Sequence, residues 1–215
     1  MYVPRAFVED DLALLDALFA YDPFVTLITV DATVADGQPV ATPLPVLYRR
    51  DGGAILIEGH WARANPQSRH HGDGLLLVHG PHAYVSPAWY PDKAEQARVP
   101  TWNYTVAQLH GQLEHFDDEN TKIDMLARLS AHFEAGANSD WRFDPADPRE
   151  RTQVRGIVGF RFRPQRIAIK YKLNQNHPLA NRAAVADRLA ASPIQREREV
   201  AGLMRATFHH TSRGD

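Results

Sequence analysis

The residues best suited to hold a ligand lie in three short stretches. They are Gly59-His60-Trp61-Ala62-Arg63-Ala64-Asn65-Pro66, Gly80-Pro81-His82-Ala83-Tyr84-Val85-Ser86-Pro87-Ala88-Trp89-Tyr90, and Val99-Pro100-Thr101-Trp102-Asn103-Tyr104. Three of the four tryptophans fall between residues 61 and 102. Proline fixes the backbone, aromatic rings offer flat stacking area, and an arginine offers a planar fork for phosphate. The combination predicts a rigid pocket for a flat, anionic ligand.

Each of these residues has a plainer use. Arg63 fits a phosphate contact and also a surface or interface ion pair. Trp89, Tyr90, Trp102 and Tyr104 fit ligand contact and equally core or interface packing. Ser86 follows a strand and could bond a ligand or close a turn. Lys172, Gln175 and Asn176 place three polar groups at a strand end, either as a pocket wall or as a solvated terminus. His70, His71, His79 and His82 lie close together, but a metal site needs convergent ligands. His79 and His82 flank Gly-Pro and are expected to point in unrelated directions, so no metal site is predicted.

Composition narrows the classes. Hydrophobic residues make up 44% and charged residues 23% of 215 residues, as in an ordinary globular protein with a substantial core. A net charge of −2 gives no basic footprint for nucleic acid. The absence of cysteine excludes disulfides and thiolate chemistry. No apolar run is long enough for a membrane span, and the first residues lack a signal-peptide pattern; a cytoplasmic location is expected.

The elements that must position these residues are mostly short strands. An amphipathic helix is predicted over 9–20, with its acids in the first turn. The β-branched run 24–30 reads as a strand. The turn Ala35-Asp36-Gly37-Gln38 joins it to a return segment, 39–48, whose Pro43 and Pro45 make it an edge or irregular. Further strands are expected over 54–58, 75–79, 83–85 and 104–116, the last broken at Gly111, with a long loop over 88–100. Segments 156–163 and 166–173 read as a hairpin around Pro164-Gln165. Residues 117–135 form the clearest helix, with Ile123, Leu126, Leu129 and Phe133 on one stripe. Two more helices follow, over 181–191 and from Ser192-Pro193 to about 207, with a frayed end at 209–215. The second carries Arg196, Arg198 and Arg205 but also Glu197 and Glu199, which suits a helical cap better than a recognition helix. Many short antiparallel strands with peripheral helices predict a mainly β barrel.

The three stretches, with Tyr2-Val3-Pro4 and Lys172-Leu173-Asn174-Gln175-Asn176, resemble the FMN-binding negative transcriptional regulator family, which includes repressors of protease synthesis and sporulation. The likeness runs from residue 1 to about 205, and Asn174 stands where the family pattern has Ser. It implies a split β-barrel of the pyridoxamine-phosphate-oxidase-like type: an FMN-binding domain over 1–176 and a C-terminal helical extension over 177–215. FMN suits the flat, anionic description above. The resemblance implies a homodimer with FMN at the subunit interface. His60 and Arg63 would hold its phosphate with Ala64 and Asn65 close by, and Thr42, Pro43, Leu44 and Pro45 would line the isoalloxazine. Ser86, Tyr90, Trp102, Tyr104, Lys172, Gln175 and Asn176 complete the candidate set. Three functional classes follow: an oxidoreductase exchanging electrons with a reduced nicotinamide or small reductant, a flavin-responsive regulator without turnover, and a haem-binding split barrel.

Overall fold

A computed structural model describes residues 1–31, 33 and 37–210. Its core element is an eight-stranded sheet. In chain order the strands are β1 (Val8–Glu9), β2 (Phe24–Val30), β3 (Pro39–Pro45), β4 (Leu47–Asp51), β5 (Ala54–Ala62), β6 (Gly72–Val85), β7 (Thr101–Phe116) and β8 (Ile157–Lys172). The order in the sheet is β3-β2-β6-β7-β8-β5-β4, with β1 paired to β8. The helices are α1 (Leu12–Tyr21), α2 (Glu119–Gly136), α3 (Pro148–Val154), α4 (Leu179–Ala190) and α5 (Gln195–Ala206).

The chain divides into two compact units. The first comprises Met1–Leu18, His79–Ala107 and Ala168–Asp215, and the second Phe19–Val78 and Gln108–Ile167. In the second, β2 and β3 pair antiparallel from Phe24↔Pro45 to Val30↔Pro39. Prolines 39, 43 and 45 share one parity, so their missing N–H groups lie along one edge. An end strand tolerates that loss. Of the turn expected over 35–38, Ala35 and Asp36 lie outside the described residues, as does the end at 211–215; His209 and His210 fall in a 3-10 turn, Thr207–His210. The 51–53 turn closes the β4–β5 hairpin, with Gly52 in the left-handed region at φ 56°.

Several strand and helix boundaries differ from the sequence-based expectation. The strands expected over 75–79 and 83–85 are one strand, β6. Its buried positions are even-numbered at 76, 78 and 80 and odd-numbered at 81, 83 and 85. This one-residue phase slip is the effect of a bulge and accommodates Pro81 inside a long strand. β7 is continuous through Gly111, and the 156–173 hairpin is the single strand β8. A Cβ on Gly111 would stand 2.1 Å from the carbonyl oxygen of Arg163. Gly111 is therefore there for a close backbone approach, and the Pro164 region continues as strand instead of turning. Gly111→Ala is expected to destabilise by about 3 kcal/mol, at the upper end of overpacking costs, read as a lower urea midpoint.

The helices also shift. α1 starts at Leu12, after its acids, and the Asp11 carboxylate accepts from Ala13 N–H at 2.8 Å. On α2 the buried face is Lys122, Met125 and Leu129, with Leu126 and Phe133 packed at its margin; Ile123 is not part of that cluster. The Ser192 hydroxyl accepts from Ile194 N–H at 3.1 Å, and α5 begins at Gln195, later than expected.

Candidate functional site

Seven of the predicted site residues, Ser86, Tyr90, Trp102, Tyr104, Lys172, Gln175 and Asn176, stand in the first unit. The other eight stand in the second.

In the first unit, Tyr90, Lys172 and Asn176 line one cavity of about 300 Å3, together with Phe7, Arg98, Thr101, Asn174 and His177. The 3-10 turn after β6 and the end of β8 bring them there. Tyr90 is buried, and its hydroxyl accepts from Asn174 Nδ2 at 3.0 Å. Burial pushes its phenol pKa up. The His177 ring stacks on Tyr90 with centroids 4.9 Å apart and planes 6° apart, and the Arg98 guanidinium lies 5.6 Å from the Tyr90 ring centre. Burial, then Arg98, holds His177 below its ordinary pKa. Arg98 is paired: its Nε donates to Asp92 Oδ1 at 2.9 Å, and that bond holds Asp92 at about 2.

Lys172 is different. Its ammonium donates to Thr101 Oγ1 at 2.5 Å and to the Trp102 carbonyl at 2.7 Å, both neutral. No carboxylate is among its ion-pair partners in the described residues. Burial and then the nearby Lys170 lower its pKa. Lys170, by contrast with the half-buried Lys172, is buried; it donates to the Tyr2 carbonyl at 3.2 Å and sits 5.1 Å from the Tyr104 ring centre. Among the described residues, two lysines without a carboxylate in salt-bridge contact thus stand at the end of β8, and one of them lines the cavity.

The remaining first-unit candidates have other surroundings. Trp102 (50% exposed) and Tyr104 line a separate cavity of about 530 Å3 with His79, Gly80, His82 and Thr105. His79 and His82 share that cavity, against the expectation that they diverge, because the phase slip at Gly80-Pro81 returns both to one exposed face. Ser86 Oγ accepts from Ala88 N–H at 3.2 Å and caps the turn. Gln175 uses both ends of its amide on the backbone: Oε1 accepts from Leu173 N–H at 2.7 Å and Nε2 donates to the Tyr171 carbonyl at 2.5 Å.

In the second unit, Thr42 and Asn65 join a closed polar network. Thr42 Oγ1 donates to Gln67 Oε1 and accepts from Asn65 Nδ2 at 3.3 Å. Gln67, fully buried, donates to Thr29 Oγ1 and to the Val40 carbonyl, each at 2.9 Å. Leu44 is a core side chain, whereas Pro43, Pro45 and Ala64 are exposed. Arg63 donates from Nη1 and Nη2 to the two oxygens of Asp117, at 2.8 and 2.5 Å, and from Nε to the Arg155 carbonyl at 2.8 Å. That guanidinium already has its carboxylate. His60 Nδ1 is buried without a hydrogen-bond partner, and burial lowers its pKa. Trp61, its neighbour, is core: its indole N–H donates to His115 Nε2 at 2.9 Å.

Sequence reasoning missed Arg98, Thr101, Asn174 and His177 at the Lys172 cavity. The departure at Asn174 was the available signal. Its φ is 62°, and asparagine tolerates the left-handed region better than other residues with a Cβ.

Residues 1–166 match the family model described as "Putative FMN-binding domain". The chain belongs to this family. Its cofactor is FMN. It is 28% identical to Protease synthase and sporulation protein PAI 2 of Bacillus subtilis (strain 168), over 95% of this chain and 96% of that protein. It is 24% identical to the uncharacterized protein AN0679 of Emericella nidulans, over 86% of this chain and 88% of that one. Two solved structures share the fold. The FAD and heme binding protein from Mycobacterium smegmatis has a TM-score of 0.54 at 19% identity, covering 77% of this chain and 73% of that one. The flavocytochrome Anf3 from Azotobacter vinelandii has a TM-score of 0.54 at 18% identity, covering 79% and 72%. The fold is mainly β, of the split-barrel class. Among the described residues, no helix is long and apolar enough to cross a membrane.

Proposed function

We propose that this protein is a homodimeric flavoprotein that holds FMN without a covalent bond, with Lys172 as the partner of its phosphate. The FMN is used to pass electrons from a reduced nicotinamide, or a similar small reductant, to an acceptor. The observation that supports the placement is the charge on Lys172: a half-buried ammonium, bonded only to neutral oxygens, beside a cavity. A phosphate supplies the missing negative charge through a charge-assisted hydrogen bond.

The rest of the cavity wall fits the same ligand. Tyr90 and His177, stacked ring on ring, add aromatic contact to the wall. Thr101 and Asn176 add hydroxyl and amide groups that can orient a polar ring edge or a ribityl chain. At about 300 Å3 the cavity sits at the low end of the ~300–1,000 Å3 usual for small-molecule sites. A ligand as long as FMN extends beyond it, which suits a site completed by a second subunit.

Bound FMN supplies reversible hydride and electron chemistry, and the protein's part is to hold and orient it. Within this chain, Lys172 fixes the anionic end and keeps its own proton, because an anion beside it opposes the burial that lowers its pKa. The test is steady-state oxidation of reduced nicotinamide by the FMN-loaded protein. Turnover well above that of free FMN at equal concentration is expected. Tight FMN binding with no such turnover would make the flavin a sensed or structural ligand, the regulator reading.

A further inference from the structure

A second cavity in the first unit lies mostly outside the residues that the FMN-binding family model covers. It measures about 360 Å3 and is lined by the N-terminal segment, the end of β8 and the two C-terminal helices. Leu14, Leu173, Leu203 and Ala206 make much of its wall apolar, and Glu9 and Arg182 provide charge. Arg182, on α4, is the unusual member. It is 2% exposed, one of the largest fully buried side chains of the protein. Its Nη2 donates to the Thr207 carbonyl at 2.9 Å and to Thr207 Oγ1 at 2.8 Å, both neutral oxygens. Its Nε is buried with no hydrogen-bond partner. The Phe208 ring lies 5.0 Å from the guanidinium.

A guanidinium stays protonated in proteins, so this is a permanent buried cation. Among the described residues no carboxylate stands within ion-pair distance of it. Buried charges are ordinarily paired, because desolvation without a counter-ion is costly. The same burial lowers the Arg182 pKa with no opposing contribution from an acid. A cation of this kind beside an apolar cavity matches a ligand with one negative head and an apolar body.

We propose that this cavity binds an organic monocarboxylate, its carboxylate on the Arg182 guanidinium and its hydrocarbon part against Leu14, Leu173 and Leu203. One negative charge matches the single guanidinium in the lining. The volume suits a small molecule of this class. The site is independent of where FMN is held, since neither Lys172 nor any other lining residue of the Tyr90 cavity belongs to it.

The experiment uses the full chain saturated with FMN, titrated calorimetrically with octanoate, 1-octanol and octyl phosphate. Octanoate is expected to bind saturably and at least ~10-fold tighter than octanol, the effect of one charge-assisted hydrogen bond. Arg182→Gln is expected to remove that preference. Because Arg182→Gln could unfold α4, Leu203→Trp is the second variant: it fills the cavity without touching a hydrogen bond and is expected to weaken octanoate at least ~10-fold. Equal affinity for octanoate and octanol, no saturable binding, or wild-type octanoate affinity in Leu203→Trp overturns the proposal. Tighter binding of octyl phosphate than of octanoate overturns the monocarboxylate class.

Discussion

Lys172→Ala is expected to lower FMN affinity by about 10- to 100-fold, the loss of one charge-assisted phosphate contact. The expectation follows from a difference between two cations that both suited phosphate by type. Arg63 faces Asp117, and its charge is met by a carboxylate on the same chain. Lys172 has Thr101 and a carbonyl, neither charged. An anion arriving at Arg63 must displace Asp117, whereas one arriving at Lys172 displaces nothing charged. Fluorescence titration of both alanine variants separates the two sites. A large loss in Lys172→Ala with little change in Arg63→Ala matches this account. The reverse result returns the phosphate to Arg63, and the same titration on His60→Ala tests the unpartnered Nδ1 of that ring.

Glu58→Ala is expected to destabilise the fold by about 3 kcal/mol, the lower end of the cost of breaking a buried ion pair. Glu58, on β5, is 1% exposed and accepts from three arginines. Arg49 Nη2 and Arg128 Nη1 reach Oε2 at 2.7 and 2.6 Å, and Arg161 Nε reaches Oε1 at 3.2 Å. The lower figure applies because the arginines are themselves partly in water. Burial would raise the Glu58 pKa, but the bonds from Arg128 and Arg161 and the charge of Arg49 outweigh it and hold the carboxyl below its usual range. A carboxyl with a depressed folded-state pKa stabilises fully above its unfolded value of about 4.3. That stabilisation is lost as pH falls through the folded value. Asp117, held down by Arg63 and Lys122, and Asp92, held at about 2 by Arg98, act in the same direction. Urea midpoints should therefore decline already below about pH 6.5, where unfolding lets His60, His115 (held at about 4) and His177 take up the protons that burial denies them in the fold, and fall more steeply below about pH 4 as the paired carboxylates protonate. A flatter acid limb in Glu58→Gln than in the wild type would identify this cluster as a source of the slope.

Local patterns were legible where they depend on neighbours in sequence. The β-branched run over 24–30 is a strand with those bounds, and the prolines of 39–45 mark an end strand. What failed were inferences in which proline or glycine was taken to end an element. Pro81 and Pro164 lie inside long strands, the first at a phase slip. Gly111 serves a close approach to Arg163, a contact no local pattern announces. The candidate site was legible in the same uneven way. Lys172, Tyr90 and Asn176 do line one cavity. The partner that occupies Arg63 is Asp117, 54 residues along the chain. The partners of Lys172 are likewise remote, at Thr101 and Trp102. Residue type revealed which groups could bind an anion; only the fold revealed which of them already had one.

The measurement that bears most directly on the account is sedimentation velocity of the purified full chain during FMN titration, followed at the flavin absorbance band, with haem added in a parallel series. The account predicts saturable binding, a perturbed flavin band, and flavin that sediments with a dimer at one FMN per subunit. Flavin that stays at the free-ligand boundary, or that sediments with a monomer, would contradict it. Haem binding in place of FMN would do the same.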